Sequence, residues 1–158
     1  MQAKTLKRSH YYLIYSALFV ILCLAVFGWY FSEGKTFIWT VDGWDQHYKA
    51  LVYYGKLLRS VLKNLVREHR LILPAWDFRI SEGADILNVL HYYVIGDPLN
   101  LLSAFVPASG THVLYTVLIL LRFYLAGAAF SELCFYTGRQ DNRAVLSGAF
   151  SFLFFFFF

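Results

Sequence analysis

The sequence predicts an all-α membrane protein with about two and a half transmembrane helices and a helical outer loop. Three observations predict it. Of the 158 residues, 59% are hydrophobic and 20% aromatic, above the roughly 45–50% apolar content of soluble domains, and mean hydropathy is +0.52. Tyr11 to Phe31 carries no charged residue. A second apolar run, Val113 to Tyr136, is interrupted only by Arg122 and Glu132.

Residues 1–10 form a basic N-terminus with Lys4, Lys7 and Arg8. The first span, 11–31, measures roughly 31 Å as a helix at about 1.5 Å per residue, enough to cross the hydrocarbon core. Tyr11 and Tyr12 at one end and Trp29 and Tyr30 at the other suit the two interfaces. The run is too long for the apolar part of a cleaved signal peptide, and its exit, Phe27-Gly-Trp-Tyr-Phe31, has no small-x-small cut site. An uncleaved signal anchor is the expectation.

Basic residues set the orientation. Lys4, Lys7 and Arg8 precede the first span, and Arg139 and Arg143 lie in the short connection 137–143. Both segments are therefore expected in the cytoplasm, with 32–112 as an extracytoplasmic loop of a multi-pass cell-membrane protein. The net charge of +4 suits anionic lipid. No nucleic-acid motif is present, and no nucleic-acid partner is expected.

Within the loop, residues 45–70 read as an amphipathic helix. Leu51, Tyr54, Leu58, Val61, Leu62 and Leu65 share one face; Lys49, Lys56, Lys63 and Arg70 recur at heptad spacing on the other, joined by Arg59 and Arg67. Such a helix lies flat in a lipid interface with its cations among phosphates, or covers a protein core with a solvated charged face. Pro74 closes this region. Trp76 to Asp85 is turn-rich, with Asp77, Glu82 and Asp85 as an acidic group. Short helices are expected at 84–95 and 98–106, divided by Gly96-Asp97-Pro98.

The second span is expected at 113–136. A third, 144–158, runs into five phenylalanines and is shorter than the roughly 20 residues a span needs, so it reads as a truncated helix. The phenylalanine run, as a true terminus, a frameshift or a truncation, is assigned no function. Cys23 and Cys134 belong to different depths of the bilayer and are expected to pack rather than pair.

The segment Thr40-Val-Asp-Gly-Trp-Asp-Gln-His-Tyr48 sets two carboxylates shortly after the first span. Asp45 is either the N-cap of the amphipathic helix or a site residue. Asp42 is a turn residue with Gly43, a general base, or a ligand of a divalent metal. Arg122 inside a span costs about 2.5–3.5 kcal/mol on insertion scales, so it faces protein or water, paired with a phosphate or with an internal acid. His47 and His91 lack zinc-site spacing, and there is no Gly-rich phosphate loop, nucleophile elbow or zinc-protease motif.

The ordered series Asp42…Gln46-x-Tyr48, Trp76-x-Phe78…Gly83-x-Asp85, Tyr92-Tyr93…Asp97-Pro98-Leu-Asn-Leu-Leu102 and Arg122 with Leu125-Ala-Gly127 resembles the N-terminal part of the bacterial YfhO family of large multi-pass membrane proteins. The resemblance covers roughly residues 40–150. It implies the N-terminal part of a GT-C-like multi-helix bundle, in a glycosyltransferase that takes a sugar from a polyprenyl-phosphate donor. The implied acceptor is an extracytoplasmic cell-surface polymer such as lipoteichoic acid. It further implies Asp42 as catalytic base, with Asp45, Gln46, Tyr48, Trp76, Asp85 and Arg122 toward substrate. No cofactor is implied, and a divalent metal stays open. The Gly-x-Gly usual before the family's loop aspartate reads Ser81-Glu82-Gly83 here. Because family members are several times longer, the enzyme activity is expected of the full-length protein and not of this stretch alone. The other reading of the same residues is a non-catalytic membrane transporter or scaffold that binds lipid phosphate.

Overall fold

The computed structural model describes residues 7–80, 82–139 and 141–157. Lys4, Ser81 and Phe158, on which parts of the sequence reading rest, lie outside the described residues. Five α-helices follow in chain order among those described: α1 Arg8–Ser32, α2 Lys49–Glu68, α3 Ile86–Leu90, α4 Thr111–Tyr136 and α5 Asn142–Phe157. Strands β1, Trp76–Asp77, and β2, Ala84–Asp85, form a two-residue antiparallel ladder inside the stretch expected to be turn-rich. The architecture is otherwise all-α. Two helices, Arg8–Ser32 and Ala108–Tyr136, are long and apolar enough to cross a membrane by length and composition.

The chain divides into two compact units. The first, Met1–Lys35 with Ile119–Phe158, packs α1 against α4 and α5. Tyr11, Tyr15, Val145 and Ala149 form a buried cluster in it, with Tyr124, Phe130 and Phe150 around them. Gly127 makes the closest approach: a β-carbon there would collide with the Tyr15 hydroxyl. That hydroxyl donates to the Tyr124 carbonyl at 2.8 Å. Small residues that admit a neighbouring helix, with polar side chains bonding across the seam, are how helices associate in an apolar solvent. The Tyr11 hydroxyl pairs with Ser131 Oγ at 2.8 Å, and the Tyr12 hydroxyl donates to Glu132 Oε1 at 2.6 Å. Arg8 reaches Glu132 Oε2 at 3.5 Å. The one acid interrupting the second apolar run thus has partners on α1. Both cysteines are free.

The second unit, Thr36–Leu118, is built around α2. Leu51 and Tyr54 of α2, Ile86 and Leu90 of α3, Val94 and Leu118 form its buried core. Helix continues directly into α2 from a π-helical turn, Gly43–Tyr48, and α3 continues into a second one, His91–Ile95. Pro98–Phe105 and Ala108–Gly110 are 3-10 helices. Asp97 opens the first of these, accepting from the Leu99 N–H at 2.8 Å, as a favoured N-cap does.

Two expectations change here. Asp45 is not an N-cap: it lies within the π-helical turn, and its carboxylate accepts from Lys49 Nζ at 2.7 Å. Arg59 is not part of a solvated or lipid-facing cationic stripe. Its guanidinium donates to the carbonyls of Ser103 and Val106 at 2.7 and 2.6 Å, satisfying acceptors at the C-terminal end of the Pro98–Phe105 helix, where such groups are orphaned. Leu62 and Leu65 remain exposed although they share the apolar stripe with buried Leu51 and Tyr54. The stripe therefore extends past the segments that cover it. The helix ends at Glu68, where His69 takes a left-handed conformation (φ 51°).

Candidate functional site

The two π-helical turns meet in the second unit, and their meeting brings the candidate residues together. A π-helical turn carries an extra residue relative to an α-turn and recurs at functional sites. The first one follows Val41, whose φ is 64°. A β-branched residue in that region is a backbone outlier that the surroundings must hold in place. Asp42, next in the chain, is exposed.

Asp42 Oδ1 accepts from Gln46 Nε2 at 2.8 Å. Gln46 Oε1 in turn accepts from the Tyr93 hydroxyl at 2.7 Å. Tyr93 belongs to the second π-helical turn. Its ring stands edge-on to Tyr92 and to His47, with centroids 4.9 and 5.2 Å away. His47 also lies 5.3 Å from Trp39. An imidazole thus sits among three aromatic rings beside the hydrogen-bonded chain. The two carboxylates of the Thr40–Tyr48 segment each engage a partner one helical turn on: Asp42 takes Gln46, and Asp45 takes Lys49.

A cavity of about 590 Å³ opens beside this chain, lined by Asp45, Gln46, Lys49, Tyr53, Arg79 and Tyr93 with apolar neighbours from α3 and α2. Across it stands a second polar group. The Asp77 carboxylate accepts from the Tyr53 hydroxyl at 2.6 Å and from Arg79 at 2.7 to 3.0 Å. The Arg79 guanidinium, then the Tyr53 hydroxyl and the Arg79 backbone N–H, hold the Asp77 carboxyl well below the usual carboxylate range. Burial, followed by the hydrogen bond to Asp77, pushes the Tyr53 phenol up to about 12. The Arg79 pKa is raised by its bonds to Asp77. Both cations on the cavity wall are matched by carboxylates, so charge there is balanced.

The other candidates fall elsewhere. Tyr48 stacks on Trp44 with centroids 5.2 Å apart and borders a separate hollow of about 270 Å³ with Lys49, Tyr53 and Lys56. Trp76 is exposed in β1, its ring 6.3 Å from that of Phe78. Asp85 has a structural task, accepting from the Asn88 N–H at 2.6 Å as N-cap of α3. Arg122 belongs to the other unit, half-buried on α4. Among the described residues no three His, Cys, Asp or Glu side chains are grouped as a metal would require.

Sequence reading did not single out Tyr53, Arg79 or Tyr93 as site residues. Tyr93 carried a signal in the Tyr92-Tyr93 pair. Tyr53 carried none, since its partner Asp77 is a neighbour only once β1 folds back on α2, whereas Arg79 lies two residues from Asp77 in the chain.

Residues 14–158 match the family described as bacterial membrane protein YfhO. Comparison with curated proteins and with solved structures finds no match.

Proposed function

The chain belongs to the YfhO family of bacterial membrane proteins, and from that premise we propose that it contributes the catalytic acid of a multi-pass glycosyltransferase. The donor is a sugar on a polyprenyl phosphate, and the acceptor is a hydroxyl of an extracytoplasmic cell-surface polymer such as lipoteichoic acid. Asp42 is the general base. The acceptor oxygen attacks the anomeric carbon and its proton passes to Asp42. The bond from that carbon to the phosphate oxygen breaks with inversion, and polyprenyl phosphate leaves as a stable anion that needs little acid assistance. Arg122 is the proposed partner of the donor phosphate, since a guanidinium matches phosphate geometry.

One observation carries this reading: Asp42 is an exposed carboxylate following a strained residue, one hydrogen bond from Gln46, which lines the cavity. Strained backbone persists only where the surroundings over-determine it, and such positions cluster at functional sites. The connectivity is also suitable. Asp42 follows the end of α1 at Ser32 closely enough that an extended chain would keep it within about 35 Å of that end. The loop 32–112 is proposed to be extracytoplasmic.

The test is transfer of labelled sugar from a polyprenyl-phosphate donor by membranes carrying the full-length protein. Asp42→Asn should lower transfer at least about 100-fold, the usual contribution of a positioned base, with membrane insertion unchanged. Full activity in that variant would end the base assignment. Arg122→Leu should weaken donor binding, and unchanged donor affinity would instead make Arg122 part of an internal ion pair.

A further inference from the structure

We propose that Tyr93 is a positioning residue for Asp42, acting through the side-chain amide of Gln46. The proposal rests on the general-base reading of Asp42. Its geometry is a three-membered chain: Tyr93 hydroxyl to Gln46 Oε1 at 2.7 Å, and Gln46 Nε2 to Asp42 Oδ1 at 2.8 Å.

The polarity of this chain follows from the groups in it. An ionised carboxylate only accepts, so the amide must turn its N–H toward Asp42. That leaves Oε1 facing Tyr93, and the phenol must donate. Each bond polarises the next, which strengthens both. Gln46 is an exposed, flexible side chain, and a single contact would hold it poorly. Tyr93 anchors its far end. The Tyr93 ring is itself fixed by edge-on contacts to Tyr92 and His47. The rigidity of an aromatic cluster is thereby passed to an otherwise free carboxylate.

The chain also decides which oxygen of Asp42 stays available. Oδ1 is taken by Gln46, and Oδ2 accepts no hydrogen bond from the described residues. The open oxygen is the one that can receive a proton. Tyr93 therefore lies one residue away from the reacting group, and Gln46 serves the base rather than the sugar.

The experiment measures transfer in membranes carrying the full-length protein, with a polyprenyl-phosphate-linked hexose as donor probe. Tyr93→Phe and Gln46→Leu should each lower kcat up to about tenfold, the scale of one lost hydrogen bond, with donor KM unchanged. Because Tyr93 acts only through Gln46, the double variant should be no slower than Gln46→Leu alone. Multiplied effects, or a raised KM with unchanged kcat, would overturn the proposal. A second measurement does not depend on activity: the side-chain amide resonances of Gln46 in detergent micelles should move in both Tyr93→Phe and Asp42→Asn. Resonances indifferent to Tyr93→Phe would also overturn it. The two levels of inference separate cleanly. Full transfer by Asp42→Asn with responsive amide signals removes the base reading, and the positioning role with it, but leaves the hydrogen-bonded chain. Loss of transfer in Asp42→Asn with normal kcat in Tyr93→Phe and Gln46→Leu removes the positioning role alone.

Discussion

The carbonyl oxygen of Ser103 lies 2.6 Å from where a β-carbon on Gly55 would sit. Helix α2 and the Pro98–Phe105 helix meet backbone to side-chain-free backbone at this point, and Arg59, one turn along α2, donates to the same carbonyl. Gly55→Ala is expected to destabilise the protein. Alanine favours a helix by up to about 1 kcal/mol, but forcing volume into a closed contact costs about 1–3 kcal/mol, and the obstacle is backbone, which moves least. Thermal unfolding in detergent should show a lower midpoint for Gly55→Ala than for wild type.

Acid should weaken the loop unit through Asp77. Its carboxyl ionises more readily folded than unfolded, because Arg79 and Tyr53 bond to the charged form. The stabilisation is therefore complete above the unfolded value near 4 and is withdrawn as pH falls below it. Tyr53 works at the other limit. Its folded value of about 12 stands above the ordinary phenol value near 10, so its contribution is present below pH 10 and lost as pH rises toward 12. Protease resistance of the loop measured across pH should decline at both limits. Asp77→Asn should flatten the acid side.

Val41→Gly should raise stability by about 1 kcal/mol. A β-branched residue in the left-handed region costs about 1–3 kcal/mol, while glycine adds about 0.4–1 kcal/mol of unfolded-state freedom. Val41 is 70% exposed, so little packing is lost. A higher unfolding midpoint together with reduced sugar transfer would mark the strain as serving Asp42. A lower midpoint would show that the valine side chain is needed for folding.

Gly127→Val should loosen the helical unit, because the new side chain occupies the place of the Tyr15 hydroxyl and breaks its bond to the Tyr124 carbonyl. Cross-linking between cysteines introduced on α1 and α4 should fall relative to wild type.

The apolar helices were readable because a stretch such as Tyr11–Phe31 needs only local composition to declare itself. The inner part of α2 was readable for the same reason: Leu51 and Tyr54 repeat at helical spacing and are buried. Asp42 is a candidate by its chemistry and its place after the first span, and its role as base is what the family resemblance implies. Its partner Tyr93 was not readable, because forty-seven residues separate it from Gln46 and only the fold brings them together. Arg59 was misread for a related reason. On a helical plot it belongs with Lys56 and Lys63, yet a long side chain on the edge of a stripe can turn toward either side, and here carbonyls of the Pro98–Phe105 helix attract it. Neither π-helical turn leaves a mark in a pattern search that assumes a single helical period.

The turn Gly43–Tyr48 also bears on how this loop tolerates change in chain length. A π-helical turn amounts to one inserted residue absorbed within a helix. Deleting any one of these six residues would allow an unbroken α-helix, locally the more favourable structure. It would also rotate everything ahead of the deletion by about 100° about the helix axis, carrying Asp42 to a new position relative to α2. Substitutions in this segment alter single contacts. Loss of one codon would move the carboxylate itself, so reading-frame-preserving deletions here should be far more damaging than point changes at the same positions.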